Sequence, residues 1–203
     1  SPETTPRLAV SPAAVNNMRN ALAARSIPVD GKEKSSNHRG FITISPFSRW
    51  AYKEWPRERW REISAWLWRD YGLISVLVGA AGERARAEEL VKTTSGGMFN
   101  MAGETTLGEL AALLRLSRLH VGVDSAAPHI AAAVGTPTIT LYGPSDWRDW
   151  APVGDKHHVV KSDMDCSPCH RKGCEGSGRS RCLENIPIER VREAIEKTFL
   201  PPR

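Results

Sequence analysis

Residues 119–144 read LHVGVDSAAPHIAAAVGTPTITLYGP, and the fold turns on how this stretch divides. Leu119 to Val123 is a short apolar run that ends on the polar pair Asp124-Ser125. Ala127 to Val134 is a run of small residues at helical length, and Gly135-Thr-Pro137 stops it. Thr138 to Tyr142 is β-rich and ends on Gly143-Pro144. Strand, helix and strand in so short a space make a βαβ unit, and such units build parallel sheets.

The alternation continues outward from this unit. Thr106-Leu-Gly-Glu109 is a capping box that opens a helix running through Leu116. Phe41 to Ile44 and Ile74 to Gly79 are apolar, strand-like runs. Between them, Pro56 to Tyr71 places Trp60, Ile63, Leu67 and Tyr71 on one helical face. Glu83 to Val91 is the next helix, and Ile186-Pro187 opens a last one with Ile188, Val191, Ile195 and Phe199 aligned. Right-handed crossovers put every loop after a strand on one edge of the sheet. The expectation is an α/β fold, a Rossmann-like doubly wound parallel sheet. Ahead of it, Ser11-Pro12 starts a short helix, and Gly31 to Gly40 is a polar stretch. Residues 1–40 therefore read as helix and linker, and 41–203 as the domain.

Bulk properties narrow the class. A chain of 203 residues suits one sizeable domain. Its longest apolar runs, such as Ile74 to Ala81, fall far below the roughly 18 residues of a membrane span. The polar start at Ser1, without Met, resembles no signal peptide and suggests processing or a recombinant cut. The net charge of +5 is scattered, with clusters near Arg49 to Arg61 and Lys161 to Arg181. A nucleic-acid binder gathers such charge into a stripe, so phosphate chemistry or an anionic membrane surface fits better. All four cysteines fall between Cys166 and Cys182, and the rest of the chain has none, which fits a reducing cytoplasm.

In parallel sheets ligands bind at the carboxyl ends of strands. The residues there are Ser45-Pro-Phe-Ser48-Arg49 with Lys53, then Gly79-Ala-Ala-Gly82-Glu83, then Asp124-Ser125 with His129, then Gly143-Pro-Ser-Asp146. A helix starting after Asp124 offers free N–H groups and positive dipole to a pyrophosphate. Arg49 and Lys53 can add charge-assisted bonds, while Glu83 and Asp124 suit sugar hydroxyls. Blander readings stand beside these. Gly79 to Gly82 can be a plain tight turn, Asp124-Ser125 a helix cap, His129 a partly buried histidine, and Arg49 and Lys53 solvated charges. Spacing alone leads as far as a phosphorylated ligand.

The order of these motifs, together with Ala102-Gly-Glu-Thr105-Thr and the Asp124-Ser…His129…Gly135-Thr-Pro…Gly143-Pro block, resembles the C-terminal domain of glycosyltransferase family 9. These are the ADP-heptose:lipopolysaccharide heptosyltransferases, and the likeness spans Phe41 to Phe199. It implies one half of a GT-B enzyme, with this half holding the ADP-sugar and a facing half holding the lipopolysaccharide core acceptor. By resemblance, Ser48, Lys53 and Ser125 face the diphosphate, Arg49 stands beside them, and Glu83 meets the ribose. Thr105 sits by the adenine through its backbone, Asp124 holds the heptose, and His129 supports that loop. Transfer in the family inverts the anomeric centre with a general base on the facing half, so no catalytic residue is expected here. Peripheral attachment to the inner face of the inner membrane would suit the acceptor. Three departures bear on the sugar. Ala126 stands where glycine is usual, Arg49 where small hydroxyl residues are common, and Ser-Pro-Phe-Ser where His-Pro-Gly-Ala is frequent.

Cys166, Cys169, Cys174 and Cys182 are four soft ligands in a short window, the first pair at zinc spacing, with His170 between. Zinc, reduced thiols and an adventitious disulfide are the choices, and no cofactor is required for transfer. Two rival functions remain open on sequence: half of a nucleotide-sugar epimerase, and a metal-organised binding module without transferase activity.

Overall fold

A computed structural model describes residues 6–29 and 39–199 of the chain. Most of the expected linker, residues 30–38, and the side chain of Phe199 lie outside the described residues. The strands are β1 (Phe41–Ser45), β2 (Ile74–Leu77), β3 (Met98–Asn100), β4 (His120–Val123), β5 (Thr138–Tyr142) and β6 (His157–Lys161). They form one sheet in the order β3-β2-β1-β4-β5-β6, and every pairing is parallel. The helices are α1 (Pro12–Ala23), α2 (Arg57–Tyr71), α3 (Arg84–Lys92), α4 (Leu107–Leu116), α5 (Ala126–Ala133), α6 (Trp147–Trp150), α7 (Arg181–Glu184) and α8 (Ile188–Phe199).

Local chemistry explains the boundaries. The Ser11 hydroxyl accepts from Ala14 N at 3.1 Å and Pro12 fills the first turn, which starts α1. α4 opens on the expected box: Thr106 Oγ1 accepts from Glu109 N, and Glu109 Oε2 accepts from Thr106 N at 3.0 Å. Gly72, at φ 61°, ends α2 in the left-handed conformation that suits glycine. The helix expected from Glu83 instead begins as a 3-10 turn over Ala81–Glu83 before α3. The strand expected to reach Gly79 ends at Leu77.

Two apolar layers cover the two faces of the sheet. Ile42, Ile44, Leu77, Val121, Val123, Ile139 and Leu141 pack with Trp60, Ile63 and Leu67 of α2, Leu90 of α3 and Val191 and Ile195 of α8. Phe41, Ile74 and Val76 face the other way, against Met18 and Leu22 of α1, Ile27, and Ala112 and Leu113 of α4. The helix read as preceding the domain therefore shares its core. Each such aliphatic side chain contributes roughly 1.5–3 kcal/mol when fully buried. Trp55 and Trp60 meet edge to face at 5.0 Å, and Trp55 Nε1 donates to Ile186 O, tying the loop before α2 to the turn between α7 and α8. Two strands, β3 and β6, went unread in the sequence. β3 has three residues, and β6 is a partly exposed edge rich in histidine and lysine.

Candidate functional site

The chain leaves β1 toward β2 on one side and later returns to β4 on the other. That reversal is the switch point at which open α/β sheets bind ligands beyond the strand ends. A cleft of about 750 Å³ lies there. Of the expected residues, Ser48, Arg49, Lys53, Glu83, Asp124, Ser125 and His129 all line it. Thr105 does not. It sits half-buried ahead of α4, in a turn whose Gly103 N donates to Gly79 O, so it adjoins the cleft through the β2 loop.

The β1 loop is held from behind. Glu54 accepts from Ser48 N at 3.2 Å and from Arg86 Nη1 at 3.0 Å, and the Arg86 guanidinium lies 4.2 Å over the Phe47 ring. Lys53 Nζ donates to Asp124 Oδ2 at 2.6 Å, across the gap between β1 and β4. Asp124 is buried and therefore needs such a partner. Beside it, burial and then the Asp124 charge push the Tyr142 hydroxyl well above its usual range, and that hydroxyl donates to Trp150 O at 2.9 Å.

Asp124 is thus an ion-pair partner, not a helix cap. Ser125 occupies the cap position of α5, but its side chain caps nothing, so the first-turn N–H groups have no side-chain cap. Glu83 folds back so that Oε2 accepts from Ala80 N at 2.7 Å, and this fills the space beside Gly79. His129 is exposed on α5, not partly buried. Ser45 and Phe47, part of the run that follows β1, also line the cleft, as do Trp50 and Trp150, which nothing in the sequence singles out. The aromatic residues there carry no chemical signature in one dimension.

Ser45 reaches into the sheet as well as the cleft. Its Oγ lies 3.1 Å from His120 Nε2, and His120 Nδ1 lies 3.0 Å from Thr43 Oγ1. Burial alone lowers the His120 pKa to about 3, so the ring is neutral at ordinary pH.

The cysteine segment borders the same edge. Ser167 Oγ donates to Gly143 O at 2.7 Å, His170 N donates to Pro144 O at 2.8 Å, and Lys172 Nζ stands 5.8 Å over the Trp50 ring. Burial, and then the nearby Cys169 and Cys174, push the Cys182 thiol up. Among the described residues, however, no three His, Cys, Asp or Glu side chains form a metal-holding group. The expected zinc thus has no ligand set in this arrangement.

A second concavity, about 630 Å³, lies at the opposite end of the sheet against Leu8, Arg115, Gly135 and Lys156. It lies by the turn before β5 and the first residue of β6 and holds none of the strand-end residues. No helix of the described residues is long and apolar enough to cross a membrane.

The sheet order, with a cleft at its switch point, defines a Rossmann-like α/β domain. The profile of glycosyltransferase family 9 (heptosyltransferase) matches residues 1–178, and the chain belongs to that family. It is 32% identical over 168 residues to lipopolysaccharide heptosyltransferase 1 of Pseudomonas aeruginosa, covering 75% of this chain and 46% of that protein. Among solved structures, Escherichia coli ADP-heptose lipopolysaccharide heptosyltransferase II superposes with a TM-score of 0.75 at 26% identity. That match covers 98% of this chain and 55% of the other. The E. coli heptosyltransferase WaaC with ADP-2-deoxy-2-fluoro heptose gives a TM-score of 0.58 at 26% identity, covering 77% and 42%. The chain therefore spans about half the length of these relatives. Neither the epimerase nor the free-standing metal module finds support among them.

Proposed function

We propose that these residues are the donor-binding, C-terminal half of an inverting heptosyltransferase that moves heptose from ADP-heptose to the lipopolysaccharide inner core. The observation that carries the reading is the Lys53–Asp124 pair beside the uncapped start of α5. It sets a cation and free N–H groups where a diphosphate would lie, and a buried carboxylate where sugar hydroxyls would lie. Ser48 and Ser125 add hydroxyls to the phosphates, Glu83 meets the ribose, Thr105 offers backbone to the adenine, and His129 supports the α5 loop. Arg49 borders the diphosphate and tunes which sugar or acceptor fits.

In the reaction the acceptor hydroxyl attacks the anomeric carbon from the face opposite ADP. The bond from that carbon to the ADP oxygen breaks, and the hydroxyl proton passes to a base on a facing lobe. Lys53 and the α5 N-terminus stabilise the negative charge that departs with ADP. The acceptor lipid places the assembled enzyme at the cytoplasmic face of the inner membrane.

Hydrogen exchange with ADP-heptose tests the location. Protection should appear in residues 45–53, 78–83 and 124–129. Protection confined to the recess around Leu8 and Lys156 would contradict the assignment.

A further inference from the structure

On the α4 side of the sheet, where β1 and β4 pair, lies a seam of four polar side chains. Thr43 and His120 are fully buried, Ser45 is 4% exposed and Ser117 is 6% exposed. Thr43 pairs in register with His120, and Ser45 with Gly122. Gly122 leaves room for this seam, because a Cβ there would run into Ser45 Oγ and stand 3.0 Å from His120 Nε2.

The contacts form a chain. Ser117 Oγ lies 2.7 Å from Leu119 O, Thr43 Oγ1 lies 3.1 Å from Ser117 Oγ, and His120 Nδ1 lies 3.0 Å from Thr43 Oγ1. His120 Nε2 then lies 3.1 Å from Ser45 Oγ. A carbonyl only accepts, so Ser117 must donate to Leu119. Thr43 then donates to Ser117, His120 donates from Nδ1 to Thr43, and bare Nε2 accepts from Ser45. The opposite tautomer would send the Thr43 proton to Nδ1 and leave two oxygens facing each other at 3.1 Å with no hydrogen between them. Thr43 Oγ1 also stands 3.4 Å from Leu119 O, a longer contact, and among the four shorter contacts only one assignment puts a proton in each, with bonds that reinforce one another.

We propose that His120 is a positioning residue that turns the Ser45 proton inward, so that Ser45 offers the ligand cleft lone pairs only. Ser45 then selects a hydrogen-bond donor, a sugar hydroxyl of the bound nucleotide sugar, and repels a phosphate oxygen at that point of the floor. The ligand half of this inference rests on the donor-binding reading above, and the proton assignment does not.

Two measurements test it. Long-range nitrogen–proton correlation on the ligand-free chain reports the His120 tautomer, and protonated Nδ1 with bare Nε2 is expected. Protonated Nε2 would overturn the proposal. In ADP-heptose titrations, Ser45→Ala should weaken binding about five- to tenfold while its unfolding midpoint stays near wild type, and Ser45→Thr should stay within about twofold. If the wild-type chain binds ADP-heptose and Ser45→Ala binds equally well, this proposal alone falls. If the wild-type chain does not bind ADP-heptose, the donor reading falls, and the ligand half falls with it.

Discussion

Lys53 Nζ stands 2.6 Å from Asp124 Oδ2, which joins the loop after β1 to the end of β4 across the sheet's switch point. Each group is mostly buried, so removing one leaves the other without its partner. Lys53→Ala should therefore weaken ADP and ADP-heptose alike, by roughly 1.5–3 kcal/mol. Asp124→Ala should weaken ADP-heptose more than ADP, because its proposed partners are sugar hydroxyls. Calorimetric titration of both variants checks this, and equal losses for both ligands in Asp124→Ala would limit that residue to holding Lys53.

Arg86 acts at a distance from the ligand. Its guanidinium pairs with Glu54, which in turn holds Ser48 N, so the pair shapes the β1 loop. Arg86→Met should cost about 1–3 kcal/mol of stability and also reduce ADP affinity. Urea unfolding read beside ADP titration separates the two effects. Normal ADP affinity in a destabilised variant would show that the loop keeps its shape without Arg86.

Gly122 stands where β4 passes the Ser45 and His120 side chains. Gly122→Ala should destabilise the fold by about 1–3 kcal/mol through overpacking, as strand backbone cannot withdraw from a sheet interior. A denaturation midpoint equal to wild type would show slack in the β1–β4 seam.

Acid should reveal the buried histidine. The folded pKa of His120 is about 3, below an unfolded value near 6.5, so its neutral burial adds stability that is complete above about pH 6.5 and lost as pH falls toward 3. The part between about pH 6.5 and 5 precedes most carboxylate titration. Half-burial also lowers the His157 pKa, so His120→Leu should flatten this limb without abolishing it. Unfolding midpoints across that range provide the measurement, and an unchanged slope would contradict the assignment.

Much of this architecture was legible in the residues. Thr138 to Tyr142 read as a strand and is one, and the Thr106–Glu109 box starts its helix. Those features are local, since propensity and capping act within a few residues. The strand-end residues also come together around one cleft at the switch point. What could not be read depends on pairing across the chain. Lys53 and Asp124 are 71 positions apart, and the Ser45–His120 contact exists only through the β1–β4 register. β3 and β6 escaped for another reason: short or polar edge strands carry too little apolar pattern to distinguish them from loops.

Transfer needs more than a bound donor. On the proposed inverting mechanism a base must lie within about 3 Å of the acceptor hydroxyl, and a facing lobe would hold the lipid opposite the sugar. The described residues form one sheet with its covering helices. These 203 residues alone should therefore release no ADP from ADP-heptose in the presence of a deep-core lipopolysaccharide acceptor. Multiple turnovers, followed by ADP release and acceptor mass, would place a base and an acceptor site within them.

Calorimetric titration of the chain with ADP-heptose, ADP and a UDP-sugar tests the central claim most directly. The donor-site account predicts micromolar to millimolar binding of both adenine ligands, the range for a half-site that buries part of its ligand. It also predicts that the UDP-sugar binds more weakly than either. Clear preference for the UDP-sugar, or no binding of the adenine ligands at millimolar concentration, would contradict it.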